Sequence, residues 1–326
     1  MKLTIASLIV AIAALAAYAQ APTLQIVTSD PNLPSDLFYG NVKVKPLRVR
    51  PGTNPPQFIT IDDADFFTQE QYIDFLSRMP DSSGFQFWLG QITGCGSNAA
   101  CTSVARINTS GAFFLSIEFQ QTGYLVERMY KSAYGDSNQT STLVGSHPIA
   151  VPVVRFSEFT PDVKQIGNGV IVNQGNWQQQ LEANKVAFSQ AFVQRSRFTT
   201  AYPTSMAPAT FVDQLFTKVG VTPSATDRNT AIGEFNNAAD ISDVAARGRA
   251  LRDVAENASL QQQELNRAFV LMQYFGYLRR DPNGGQDTDY TGYDFWLTKL
   301  NQFNGSFINA EMVKAFIESS EYRGRF

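Results

Sequence analysis

The segment Asp281-Pro282-Asn283-Gly284-Gly285-Gln286-Asp287-Thr288-Asp289 places oxygen-bearing side chains at alternating positions in a glycine-rich stretch. A hard cation such as calcium takes roughly six to eight oxygens from a flexible backbone, so Asp281, Asn283, Asp287 and Asp289 are candidate ligands. The pattern is incomplete. Gln286 stands where a twelve-residue calcium loop carries its glycine, and Gly292 where it carries its bidentate glutamate. A solvated turn with helix caps is therefore the expected reading and calcium the alternative, with no other cofactor expected. Tyr290 and Tyr293, just beyond this loop, are the candidate ligand-binding aromatics, suited to stacking on a sugar ring.

Other chemistry is sparse. His147 is the only histidine and Cys95 and Cys101 are the only cysteines, which leaves little for a multi-histidine or cysteine zinc site. His147 falls in a polar stretch with no nearby Ser-Asp or carboxylate pattern, so a surface or loop histidine is expected. No phosphate-cradling glycine loop, nucleophile elbow or metalloprotease helix is present, and no catalytic residue is assigned. The formal charge is -3 from 26 basic and 29 acidic residues with no long run of one sign, which excludes nucleic acid and acidic membrane as expected partners.

Met1-Lys2, the apolar run from Leu3 to Ala17 and the small-x-small triplet Ala17-Tyr18-Ala19 have the three parts of a secretory signal peptide over residues 1–19. The run is shorter than the ~20 residues a membrane span needs, and no later stretch is long enough either. Export to the extracellular space, cell surface or periplasm is expected. In such a compartment Cys95 and Cys101, joined by a short polar loop, should pair. Closing so short a loop contributes only about 2 kcal/mol in the chain-entropy view, a local staple.

The elements that would position these groups follow from hydrophobic period. Residues 20–65 carry prolines and short alternating pieces such as Val42-Lys43-Val44-Lys45, which read as an extended arm, either a linker or a couple of edge strands packed on the body. Asp62, Asp63 and Asp65 suit a helix start. Helical period then begins with a capping-box spacing at Thr68 and Gln71, followed by the stripe Tyr72, Phe75, Leu76 and Met79 and the stop Pro80. Phe85, Trp88, Leu89 and Ile92 mark the next helix.

Tyr72-Ile73-Asp74-Phe75-Leu76-Ser77-Arg78-Met79-Pro80 aligns without a gap on Tyr274-Phe275-Gly276-Tyr277-Leu278-Arg279-Arg280-Asp281-Pro282. The Gly-x-x-Phe-Trp-Leu segments at Gly84 and Gly292 align after an insertion, and the segment from Ala112 to Phe119 aligns on that from Ala315 to Tyr322. Weaker copies lie between, one around Tyr130, Trp177 and Phe192, the other around Phe211, Ala250 and Asn257. The expected fold is mainly α, a tandem array of helical repeat units preceded by the arm. The units span residues 66–123, 124–200, 205–262 and 263–326, the second carrying a loop-rich insertion at 135–175 with a short strand pair around Val151–Val154 and Val170–Val172. The expected repeat core is Tyr72, Leu76, Trp88, Phe113, Trp177, Phe192, Tyr274, Leu278, Trp296 and Phe316, because the tryptophans sit in apolar helical stripes.

These residues resemble the bacterial family called domain of unknown function 4214. Its unit has an aromatic helix, then Arg-x-Pro-Asp-x-x-Gly-x-x-x-Trp, then a helix ending in Ser-x-Glu-Tyr or Phe. Arg78, Pro80, Asp81, Gly84, Trp88, Ser116, Glu118 and Phe119 fit it, and Arg280, Pro282, Gly292, Trp296, Ser320, Glu321 and Tyr322 fit it again. The later copy has Asn283 where the first has Asp81. The resemblance implies an exported, α-helical, non-enzymatic module and carries no catalytic residues. The sequence thus points to a structural or interaction protein of the bacterial envelope or extracellular space, with a protein or polysaccharide partner. The alternative is a carbohydrate-binding module, calcium-assisted if the loop is occupied.

Overall fold

The computed structural model describes residue 57 onward, residues 54 and 55, and the backbone of residues 24–27, 35–39 and 42–50. The expected signal peptide lies outside the described residues. The chain divides into two compact units, Met1–Thr60 and Ile61–Phe326.

In the first unit the stretch read as an extended arm forms four strands, β1 (Leu24–Val27), β2 (Ser35–Tyr39), β3 (Val42–Arg50) and β4 (Gln57–Ile59). They pair antiparallel in chain order. The β2–β3 register shifts between Asp36 and Phe38, and Pro46 falls between the paired residues Lys43 and Arg48. A residue without an N–H is tolerated at such an irregularity because no ladder bond is lost there.

The second unit is mainly helical. Helix α1 (Ala64–Leu76) starts four residues before the expected capping box, so Thr68 lies inside it and its hydroxyl donates to the Ala64 carbonyl at 2.7 Å. Asp63 is the N-cap residue and Asp65 sits in the first turn. The Asp81 side chain caps α2 (Ser82–Thr93), and Asn98 caps α3 (Ala99–Leu115). The Cys95–Cys101 disulfide ties the connection between those two helices, as expected. Ser116 caps α4 (Ile117–Gln121).

Helix α5 (Gly123–Tyr134) is the hub. It is buried from Gly123 to Ala133 and packs on α4, on α6 (Phe156–Gly167), on α9 (Pro208–Val219), on α11 (Val244–Ala255) and on α12 (Ala258–Met272). A helix buried all round carries its polar side chains inward, which places Glu127, Arg128 and Lys131 in the core. The remaining helices are α7 (Trp177–Phe192), α8 (Ser196–Ala201), α10 (Ala225–Gly233), α13 (Thr291–Gln302), α14 (Met312–Glu318) and α15 (Ser320–Arg323). Helix α12 runs directly into a π-helical turn, Gln273–Leu278, that buries Tyr274, Phe275 and Tyr277.

The 135–175 region differs from expectation. Its strands are β5 (Asp136–Ser141) and β6 (His147–Pro152), an antiparallel hairpin, and Val170–Val172 is not a strand. Helix α6 occupies the middle, burying Phe159, Val163 and Ile166 on one face. Pro161 inside that helix disguises it in the sequence, since proline removes a helical donor.

Candidate functional site

The aligned segments make corresponding contacts. Arg78 forks onto Glu118 at 2.6 and 2.7 Å, and Arg280 onto Glu321 at 2.5 and 2.9 Å. Tyr72 meets Phe113 edge-on at 4.7 Å, and Tyr274 meets Phe316 at 5.2 Å. Trp88 lies 5.6 Å from Phe113, and Trp296 lies 5.7 Å from Phe316. The Ser116 hydroxyl accepts from Phe119 N–H, and that of Ser319 from Tyr322 N–H. The aligned residues Phe75 and Tyr277 also pack on each other, 5.3 Å apart.

On the first segment these contacts floor an open groove of about 400 Å³. Helix α2 contributes Phe87 and Trp88, the first residue of α4 contributes Ile117, and the loop after α6 contributes Asn173 and Gln174. Phe87 and Ile117 are each 57% exposed, and both line this groove. Capping explains the placement. Asp81 starts α2 by accepting from Gly84 N–H at 2.9 Å, and one and a half turns on, Phe87 and Trp88 reach the surface. Gln174 donates to the same Asp81 oxygen at 3.2 Å and fixes the far wall.

The groove's charges are internally matched. Partial burial of Asp81 opposes ionisation, but hydrogen bonds from Gly84 and Ser83 and the Arg78 charge outweigh it and hold the carboxyl below its ordinary value. Burial, reinforced by Asp81, pushes the Tyr72 phenol up to about 12, so it stays neutral. Arg78 is committed to Glu118, with Asp81 at 3.5 Å.

A second groove, about 530 Å³, adjoins the first and shares Gln174 with it. Trp177 and the amides of Asn176, Gln179 and Gln180 line it. Among the described residues no charged side chain lines this groove.

Other sequence-assigned residues fall elsewhere. Tyr290 and Tyr293 are only 3% and 0% exposed, so neither presents a ring face to a ligand. The Tyr290 hydroxyl accepts from Arg155, and that of Tyr293 donates to the Arg267 carbonyl. They are core residues because α13 packs against β5, with Tyr290 N–H donating to the Thr140 carbonyl.

The candidate calcium ligands are turned to protein donors. Asp281 accepts from Phe156 N–H, Asn283 and Asp287 accept from Arg155 and Arg280, and Asp289 accepts from Thr291 N–H. Among the described residues no group of three or more His, Cys, Asp or Glu side chains could hold a metal ion.

Of the expected repeat core, Tyr72, Leu76, Phe113, Phe192, Tyr274 and Phe316 are buried, whereas Trp88, Trp177, Trp296 and Leu278 are half-buried. Helical stripe position does not separate a core ring from one that lies over the rim of the core.

His147 has a carboxylate neighbour that the sequence did not suggest. Its Nε2 is 3.1 Å from Asp294, and the Ser141 hydroxyl donates to the same Asp294 oxygen at 2.6 Å. The order is Ser–Asp–His, with the carboxylate in the middle. The serine hydroxyl also accepts from Leu143 N–H, so it is not poised on the imidazole as a nucleophile requires. The cluster pins the hairpin to α13. Asp294 lies about 150 positions along the chain from Ser141 and His147, and no local signal joins it to them.

No family model matches the chain, and neither a curated protein nor a solved structure matches it.

Proposed function

We propose that this chain is an exported, non-catalytic structural and interaction protein of the bacterial envelope or extracellular space, engaging its partner through the groove of its first helical segment. The observation that carries this reading is the exposure of Phe87 and Ile117 on a rigid frame. Two large apolar side chains are held out beside Trp88 by helix caps and the Arg78–Glu118 fork, in a groove whose charges already pair with one another. Exposed apolar surface on a fixed scaffold is what a binding face requires.

Export is supported by the disulfide. No helix among the described residues is long and apolar enough to cross a membrane. The equivalent contacts around Arg78 and Arg280 support reading the segments 66–123 and 263–326 as related units, and with it the resemblance to domain of unknown function 4214. The reading is tested by sedimenting the protein with isolated bacterial envelopes. The intact chain should co-sediment saturably, and a Phe87→Asp/Ile117→Asp variant with an unchanged circular dichroism spectrum should stay in the supernatant. Equal sedimentation of the two would overturn it.

A further inference from the structure

The two grooves that meet at Gln174 differ from an ordinary protein-docking patch in the chemistry of their walls. Each carries a half-buried tryptophan, Trp88 in one and Trp177 in the other. Five of the polar residues lining the two grooves are amides, Asn173, Gln174, Asn176, Gln179 and Gln180, and all five are exposed. An amide both donates and accepts, in one plane, and carries no charge. The charged groups at the first groove are taken up among themselves, Arg78 with Glu118 and Asp81, and the second groove has none among the described residues.

A charged ligand would therefore lose hydration without gaining an opposite charge. A purely apolar one would bury the amides unpaired. A ligand that satisfies both walls is uncharged, rich in hydroxyl groups that donate and accept, and has flat apolar faces for the rings. Pyranose rings have that character.

We propose that the adjoining grooves form one path for a neutral polysaccharide, with Phe87 and Trp88 stacking at one end, Trp177 stacking at the other, and the amides of residues 173–179 pairing with sugar hydroxyls between them. This rests on the reading of the first groove as the binding face and names its ligand. The internal Gln174–Asp81 bond presets the middle of the path, which lowers the ordering cost of binding. Open walls suit a chain that passes through and is not enclosed.

The test is calorimetric titration of the intact chain with cellohexaose, laminarihexaose and maltohexaose, alongside an alginate hexasaccharide and a tryptic digest of casein. The proposal expects saturable binding of at least one neutral hexasaccharide, weakened at least tenfold by Phe87→Ala and, separately, by Trp177→Ala. Phe87 is 57% exposed, so its truncation leaves the core intact, and an unchanged thermal midpoint checks this. Neutral saccharides that fail to bind, binding that both variants retain, or tighter binding of alginate or peptide would each overturn it.

These failures separate from failure of the interaction reading. If Phe87→Asp/Ile117→Asp still abolishes envelope sedimentation while no neutral saccharide binds, the ligand class falls and the interaction protein stands. If a neutral hexasaccharide binds and new reducing ends accumulate, the non-catalytic reading falls and the ligand class stands.

Discussion

Glu127 is 1% exposed, and among the described residues neither of its carboxyl oxygens has a hydrogen-bond partner. The cations around it are engaged elsewhere. Lys131 pairs with Asp136 and Glu264, Arg267 with the same two acids, and Arg128 with the Tyr124 and Ala255 carbonyls. Burial, and then the Glu264 charge, push the Glu127 carboxyl well above its ordinary value of 4.5, against the pull of Arg267, Arg128 and Lys131. A folded-state value above the unfolded one means the contribution to stability is fully present below pH 4.5 and is lost as pH rises through the folded value. Each pH unit inside that window costs about 1.4 kcal/mol. Glu127→Gln should therefore gain on the native protein by at least about 1 kcal/mol between pH 5 and pH 8, read from urea midpoints at the two values. Parallel stabilities at both pH values would contradict this. The residues of the Arg78 and Arg280 forks were legible as positions of an aligned motif, but their pairing with Glu118 and Glu321 was not legible from it. The Glu127 cluster and the Ser141–Asp294–His147 contact were not legible at all, because each is assembled from elements distant in sequence.

Helix α2 approaches α1 so closely that a Cβ at Gly84 would fall on the Tyr72 hydroxyl oxygen, and one at Gly292 on that of Tyr274. The glycine of the motif thus has a packing cause, room for the tyrosine of the preceding helix. Gly84→Ala should destabilise the protein by roughly 1–3 kcal/mol, as overpacking does. Adding Tyr72→Phe removes the clashing oxygen and should restore most of the loss in chemical denaturation, and Gly292→Ala with Tyr274→Phe should behave alike. A Gly84→Ala cost that Tyr72→Phe does not relieve would contradict the packing account. Helix existence was more legible than helix ends. Thr68 mimics a cap yet bonds back to Ala64 inside α1. Helix α6 was hidden because Pro161 and β-branched residues argue locally for strand or loop, while Phe159, Val163 and Ile166 gain more by facing the core.

Across the second unit, aligned residues meet one another, as Phe75 does Tyr277, in the manner of a self-complementary two-fold contact. Tyr277 also donates to Gln71 at 3.1 Å, and Arg325 reaches back to Asp74 at 2.8 Å, so the two ends of this unit close on each other. The helical class was legible from period and aromatic content. The pairing of Met1–Thr60 strands was not, because proline-rich alternation is equally consistent with an unpaired arm. The proposed binding face was not legible, since in the sequence Trp88 and Trp177 read as core residues. Both stood out as repeat positions, but whether a helical ring lies in the core or at its rim depends on what the α6–α7 loop brings alongside, and that is a tertiary fact.

Hydrogen–deuterium exchange of the intact chain with and without saturating envelope polysaccharide decides whether the adjoining grooves are where it binds. Protection concentrated in residues 83–88, 112–118 and 172–180 is the predicted result; protection confined to any other part of the chain, or none at saturation, would contradict it.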